Sequence, residues 1–273
     1  MSELYKILPQ QGHQSIFQPG KKGIQWMGLE ILRLEATDNW NAELAEEEAV
    51  LVSLSGCCSV SVQANEKREW QNFGNRSDIF SGSPAAVYAP RKSKLEVKAE
   101  SKLELAIIKA PCDIDLLPTL ITPKDVKVVS VGAANWRRDV RLIVPPGSPV
   151  SQRLIVGETF NPSGNWSGIP PHKHDVVNNV ENLLEEFYLF KAKPANGFGL
   201  QMVYSNSENP VYLIGNDDIV FMSGYHPTVA APGVTICYLW ALSGKSKAYN
   251  ITLDPRFDWV SPTEAILKEI RNI

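Results

Sequence analysis

The stretch Gly164-Asn165-Trp166-Ser167-Gly168-Ile169-Pro170-Pro171-His172-Lys173-His174-Asp175 places two of the chain's four histidines one residue apart. In extended backbone successive side chains point to opposite faces, so His172 and His174 share a face and Lys173 takes the other. That spacing offers two imidazoles to one metal ion. A lone histidine on a strand is more often a surface or satisfied core residue, and an H-x-H pair alone is a weak signal. The pair gains weight from Glu186, which opens a β-like run, and from His226 in a Gly-Tyr-His-Pro turn. A third imidazole and a carboxylate complete a shell that borderline divalent ions accept: zinc, manganese, iron, cobalt or nickel.

The rest of the chain narrows the class. With 273 residues it is long enough for one large domain or two ordinary ones with a real core. Its 27 basic and 30 acidic residues are interspersed, which argues against a nucleic-acid partner or a membrane surface. The start, Met1-Ser2-Glu3-Leu4-Tyr5-Lys6, lacks the basic and apolar regions of a signal peptide, and no apolar run is long enough to span a bilayer. A cytoplasmic location is expected. Cys57, Cys58, Cys112 and Cys237 form no C-x-x-C pair, so buried, reduced thiols are expected rather than a zinc ribbon or redox motif.

Alternating, β-branched runs punctuated by Gly, Pro, Asn and Asp predict strands over 27–33, 49–55, 59–63, 86–89, 94–99 and 103–109. A second set is predicted over 153–160, 186–192, 199–204, 218–222 and 235–242. Ser261 is positioned to cap a short C-terminal helix over 262–270. Short strands at regular spacing predict an all-β sandwich or barrel. The halves echo one another: Glu48-Ala49-Val50-Leu51-Val52 is similar in pattern to Glu186-Phe187-Tyr188-Leu189-Phe190, and Ser93 falls where the second half has His226. A duplicated β-domain is expected, with the metal motif in the second copy only. The expected organisation is a barrel over 1–112, a Pro-rich linker over 113–150 and a metal-binding barrel over 151–273. The linker carries the basic cluster Trp136-Arg137-Arg138 with Arg141, read either as an ion-pairing face or as a holder for an anionic substrate.

The H-x-H, Glu, His set on a duplicated β-domain resembles a bicupin, two tandem jelly-roll cupin barrels. More narrowly, Gly164-Asn165-Trp166-Ser167 with Pro170-Pro171-His172-Lys173-His174-Asp175 resembles the 5-deoxy-glucuronate isomerase family of inositol catabolism. So do Glu185-Glu186-Phe187-Tyr188, Gly197-Phe198, Gly224-Tyr225-His226-Pro227, Ala230-Ala231-Pro232-Gly233 and Asp254-Pro255. The resemblance implies His172, His174, Glu186 and His226 as metal ligands. It favours Glu186 over Glu185, which points to the opposite face, and over Glu181 in the preceding loop. The chain departs from the family pattern at Lys191, Met202 and Met222-Ser223, where arginines are common, and this bears on how a uronate carboxylate is held.

What the resemblance implies is an aldose–ketose isomerisation of 5-deoxy-glucuronate to 5-dehydro-2-deoxy-gluconate. Removing a proton beside a carbonyl builds charge on oxygen, which a divalent ion stabilises. Tyr188, Gln201, Tyr225 and Tyr238 are candidates for proton transfer or hydroxyl recognition, although each residue type is more often a packing residue. Lys173 is expected to point away from the metal. A small sugar acid is the expected partner, with further copies of the chain in a homo-oligomer. Two other readings stay open: an iron-dependent oxygenase using the same four ligands, and a metal cupin that binds a sugar acid without catalysis.

Overall fold

The computed structural model describes residues 2–205 and 208–271. Its regular structure is mostly β-strand, with one α-helix among the described residues, Val260–Arg271, at their C-terminal end. The expected all-β, tandem-cupin architecture is the one observed. No described helix is long and apolar enough to cross a membrane.

Two large antiparallel sheets carry the fold. The first runs, edge to edge, Thr119–Ile121, Ala86–Ala89, Glu47–Gln63, Leu103–Pro111, Gly28–Leu34 and Gly12–Phe17. Its long member Glu47–Gln63 reaches on to pair with Lys67–Arg76 and Lys94–Ala99. The second runs Glu3–Lys6, Asp218–Met222, Glu185–Lys193, Thr235–Ser243, Ile155–Asn161, Arg138–Val144 and Lys127–Val131. Two small sheets complete the second half. One holds Trp166–Ser167, Thr228–Ala230, Gly199–Met202 and Val211–Ile214; the other pairs His172–Lys173 with Thr252–Leu253.

Alternation along the central strands divides the core three ways. Val50 and Val52 in the first sheet, and Phe187 and Leu189 in the second, meet in one apolar core shared by the two halves. On the opposite face of the same strands, Leu51 packs inside the first half with Val87, Leu105 and Ile107. Tyr188 and Phe190 pack inside the second with Val220, Met222 and Tyr238. Each large side chain removed from water here contributes about 1.5–3 kcal/mol. The shared core also contains an ion triad: buried Glu158 accepts from Arg76 and lies 3.2 Å from the Arg141 guanidinium.

Several sequence expectations shift. The expected strands 49–55 and 59–63 are one strand, Glu47–Gln63, with a register shift between Ser53 and Ser55 that lets the run bend from one sheet to the other. Residues 113–150 contain Thr119–Ile121, Lys127–Val131 and Arg138–Val144, the last two lying in the second sheet. The helix begins at Val260, so Ser261 lies inside it rather than capping it; the Thr263 hydroxyl donates to Trp259 O at 2.7 Å. The proposed match of Glu48 with Glu186 is off by one. Glu48 faces the other half, where it accepts from the backbone N–H groups of Gln152 (2.7 Å), Arg153 (2.7 Å) and Leu154 (3.1 Å). Its structural counterpart is Glu185, which accepts from Gln25 N (2.6 Å) and Trp26 N (2.8 Å) of the first half. Because side chains alternate, a slip of one residue exchanges an inter-half clamp for a barrel interior position.

Candidate metal centre

Three chain segments bring the four residues together. His172 ends the approach through Pro170-Pro171 and is fixed by pairing with Leu253. Glu186 sits on the central strand Glu185–Lys193, opposite Met222, with its side chain on the barrel interior. His226 follows a tight turn at Gly224, whose φ of +103° suits glycine and whose added Cβ would lie 2.6 Å from Tyr204 O. Donor atoms of His172, His174, Glu186 and His226 lie within 4.8 Å of one another. His174, Glu186 and His226 are buried and His172 is half-buried.

Backbone carbonyls set the tautomers. A carbonyl can only accept, so His174 Nδ1 donates to Leu184 O (2.7 Å) and His226 Nδ1 donates to Gly224 O (2.8 Å). Both Nε2 atoms are thereby turned inward, each 3.0 Å from Glu186 Oε2. The His226 contact lacks hydrogen-bond alignment, leaving a buried nitrogen without a hydrogen-bond partner among the described residues. Imidazoles oriented by carbonyls behind them, a carboxylate among them and an orphaned inward nitrogen are what a divalent ion requires of its ligands. The residues present fit the group.

The electrostatics agree. Burial alone would raise the Glu186 carboxyl, but the adjoining His174 and His226 imidazoles overrule it and hold it at about 2. Burial, followed by the neighbouring His226, pushes His172 well below its ordinary value. Burial also opposes charge on His174, yet contact with Glu186 leaves that group raised.

Beside the four residues lies a cavity of about 260 Å³, whose wall includes His172, Glu186, Tyr188, Tyr238, Arg138 and Tyr249. A larger cavity of about 600 Å³ near Arg33, Cys57 and Glu104 contains none of the histidines. The Tyr188 ring lies 5.9 Å from His226 and 4.3 Å from the Tyr238 ring, and the Tyr238 hydroxyl is 2.6 Å from Ser167 Oγ. The other two candidates stand behind the site. Gln201 is buried, and its amide donates to the carbonyls of Met202, His226 and Pro227, bracing the turn that carries His226. Tyr225 stacks on Tyr204 with ring centroids 5.2 Å apart and is not part of the cavity wall.

Lys173 points away, as strand alternation demands, and pairs with Asp175 and Glu181 at 2.8 Å. Glu181 also accepts from the backbone of Asp175 and Val176, so it ties down the loop rather than joining the histidines. Lys191, Met202, Met222 and Ser223, where the resemblance implied departures, all lie outside the cavity wall. Lys191 is held by Glu104 and Asp217 between the halves. Sequence reasoning missed Tyr249, whose hydroxyl is 3.5 Å from His172 Nε2; it comes from a loop with no motif. Arg138 stood in a basic cluster whose members diverge here: Arg141 joins Glu158, exposed Arg137 reaches Ser130, and Arg138 faces the cavity.

Comparison with known proteins converges on one group. The model of the KduI/IolB family matches residues 6–260. The chain is 35% identical over 256 residues to a 5-deoxy-glucuronate isomerase of Geobacillus thermodenitrificans, covering 92% of each. Against the crystal structure of an IolB-like protein from Salmonella typhimurium LT2 it has a TM-score of 0.90 at 30% identity, over 94% of this chain and 98% of that one. An oxalate decarboxylase from Lactobacillus farciminis shares the fold at 12% identity, with a TM-score of 0.68 over 99% of this chain and 93% of that one.

Proposed function

The chain belongs to the KduI/IolB family, and from that premise we propose that it is an aldose–ketose isomerase converting 5-deoxy-glucuronate to 5-dehydro-2-deoxy-gluconate in inositol catabolism. The observation that carries the reading is the convergence of His172, His174, Glu186 and His226 beside a cavity, in a chain similar along nearly its full length to isomerases of that name. These four residues would hold a divalent ion: zinc, manganese, iron, cobalt or nickel all accept three imidazoles and a carboxylate. Such an ion supplies a Lewis acid for the negative charge that builds on oxygen as a proton leaves the neighbouring carbon.

The chain's own residues orient the ligand set and position the substrate. Leu184 O and Gly224 O fix the imidazoles so that both Nε2 atoms stay turned inward. Tyr188, Tyr238 and Tyr249 present hydroxyls to the cavity, where they hydrogen-bond substrate hydroxyls and pass protons between adjacent oxygens. Tyr238 is oriented for this by Ser167. Gln201 and Tyr225 act one step back, through the His226 turn and its bridge to Tyr204. The apolar wall of Val140, Leu142 and Ile155 limits water around the reacting carbons. Partners under this reading are the sugar acid and further copies of the chain.

The test is direct. Purified protein incubated with 5-deoxy-glucuronate and followed by NMR is expected to form the ketone, to stop after chelator treatment, and to resume when a divalent metal is restored. Undiminished turnover in the thoroughly stripped protein would overturn the metal's role, and no turnover from metal-loaded protein would overturn the substrate.

A further inference from the structure

Arg138 is the only lysine or arginine in the cavity wall among the described residues. It is half-buried and, among the described residues, has no carboxylate within ion-pair distance, unlike Arg33, Arg76, Arg141 and Lys191 around the junction of the halves. One end of its guanidinium is fixed: Nη1 donates to Trp136 O and to Ile169 O, both at 3.2 Å. Nε and Nη2 make no hydrogen bond among the described residues. A two-donor edge is therefore free, the edge whose geometry matches both oxygens of a carboxylate. Its charge is felt by His172, Tyr188, Tyr238 and Tyr249, which places it in the same chamber as the candidate metal ligands.

We propose that Arg138 is the specificity-determining residue of the site, holding the carboxylate of a sugar acid by its free Nε/Nη2 edge while the far end of the sugar meets the histidine cluster. This rests on the isomerase reading. An acid entering the cavity meets a largely apolar wall and the Glu186 carboxylate, so without a paired cation its charge would be costly to bury. Among the described residues no other lysine or arginine lines this wall, so Arg138 is left to supply that charge. The reacting carbonyl and its neighbouring hydroxyl stand at the opposite end of 5-deoxy-glucuronate from the carboxylate. Anchoring one end at Arg138 thus presents the other to the cluster and sets the direction of entry.

The experiment compares wild type, Arg138→Gln and Arg138→Lys on 5-deoxy-glucuronate and on the neutral six-carbon aldose in which a hydroxymethyl group replaces the carboxylate. Metal content and thermal melting of each protein serve as folding controls. The expected result for Arg138→Gln is a KM for the acid raised about 30-fold with kcat changed little, as for a lost charge-assisted pair. Kinetics on the neutral aldose should be unchanged, and Arg138→Lys, which keeps the charge without the fork, should fall between. An unaltered KM for the acid, or a fall in kcat alone, overturns the proposal. Quenching of tryptophan fluorescence by 2-deoxy-gluconate, with Trp240 in the wall, separates the two readings. Binding to wild type and not to Arg138→Gln supports the anchor even if no isomerase turnover is found. Equal binding to both overturns it.

Discussion

The two halves of the molecule are built on one plan and filled in opposite ways. Ala49 pairs with Ala89 as Glu186 pairs with Met222, and Ser93 lies four residues past Ala89 as His226 lies four past Met222. Leu51 opposes Ile107 where Tyr188 opposes Trp240, and Ser53 opposes Leu105 where Phe190 opposes Tyr238. In the first half these interior positions give a solid apolar core. In the second, a carboxylate, tyrosines and an imidazole leave a cavity and a cluster of metal-binding groups. Replacing small or apolar residues by longer polar ones at a few interior positions separates a scaffold from a reaction chamber. The faces turned toward the other half stay alike, as the reciprocal clamps Glu48 and Glu185 show.

Exchanging interior residues between the halves has the largest expected effect. Glu186→Ala, which gives the second half the first half's residue, is expected to lower turnover by about 10³-fold or more while the protein still folds. Ala49→Glu places a lone carboxylate in the apolar core and should cost about 3–5 kcal/mol in urea unfolding, with any folded protein keeping its metal. Glu158→Ala strips the carboxylate from the buried Arg76 and the half-buried Arg141 in the shared core and should cost about 3–5 kcal/mol, since a buried charge is left without its partner. Leu51→Ala should cost about 2–5 kcal/mol of stability and leave kcat unchanged, whereas Tyr188→Phe should lower kcat with little change in melting temperature. Smallest of all, Glu48→Gln and Glu185→Gln should weaken the fold by similar amounts, about 1–3 kcal/mol each, because both accept from backbone N–H groups of the opposite half. Unequal losses would show that the clamps are not equivalent.

How much of this was legible in the sequence follows from which contacts are local. The H-x-H of His172 and His174, the carboxylate opening an aromatic strand and the Gly224-Tyr225-His226-Pro227 turn are contiguous signatures, and the structure brings their donors together. The interior placement of Tyr188 follows from counting by two along one strand. Arg138 and Tyr249 reach the cavity from separate segments, so nothing beside them in the chain announces the contact. Lys127–Val131 and Arg138–Val144 lie where Pro residues suggest a linker; their pairing partners supply what local pattern does not. The one-residue offset between the expected match of Glu48 with Glu186 and its true match with Glu185 reflects adjacent acidic residues in both halves, Glu47-Glu48 and Glu185-Glu186, at the same strand entrance. Only the hydrogen-bond register decides which of them faces inward.

Under the proposed function, chemistry resides in the second half, at a divalent ion that His172, His174, Glu186 and His226 would hold. The most direct test is elemental analysis and NMR turnover of 5-deoxy-glucuronate on the same preparations of wild type and His174→Ala. A single divalent ion per chain and ketone formation are expected in wild type, with both lost in a variant that still melts cooperatively. Metal and turnover retained in His174→Ala would contradict this reading.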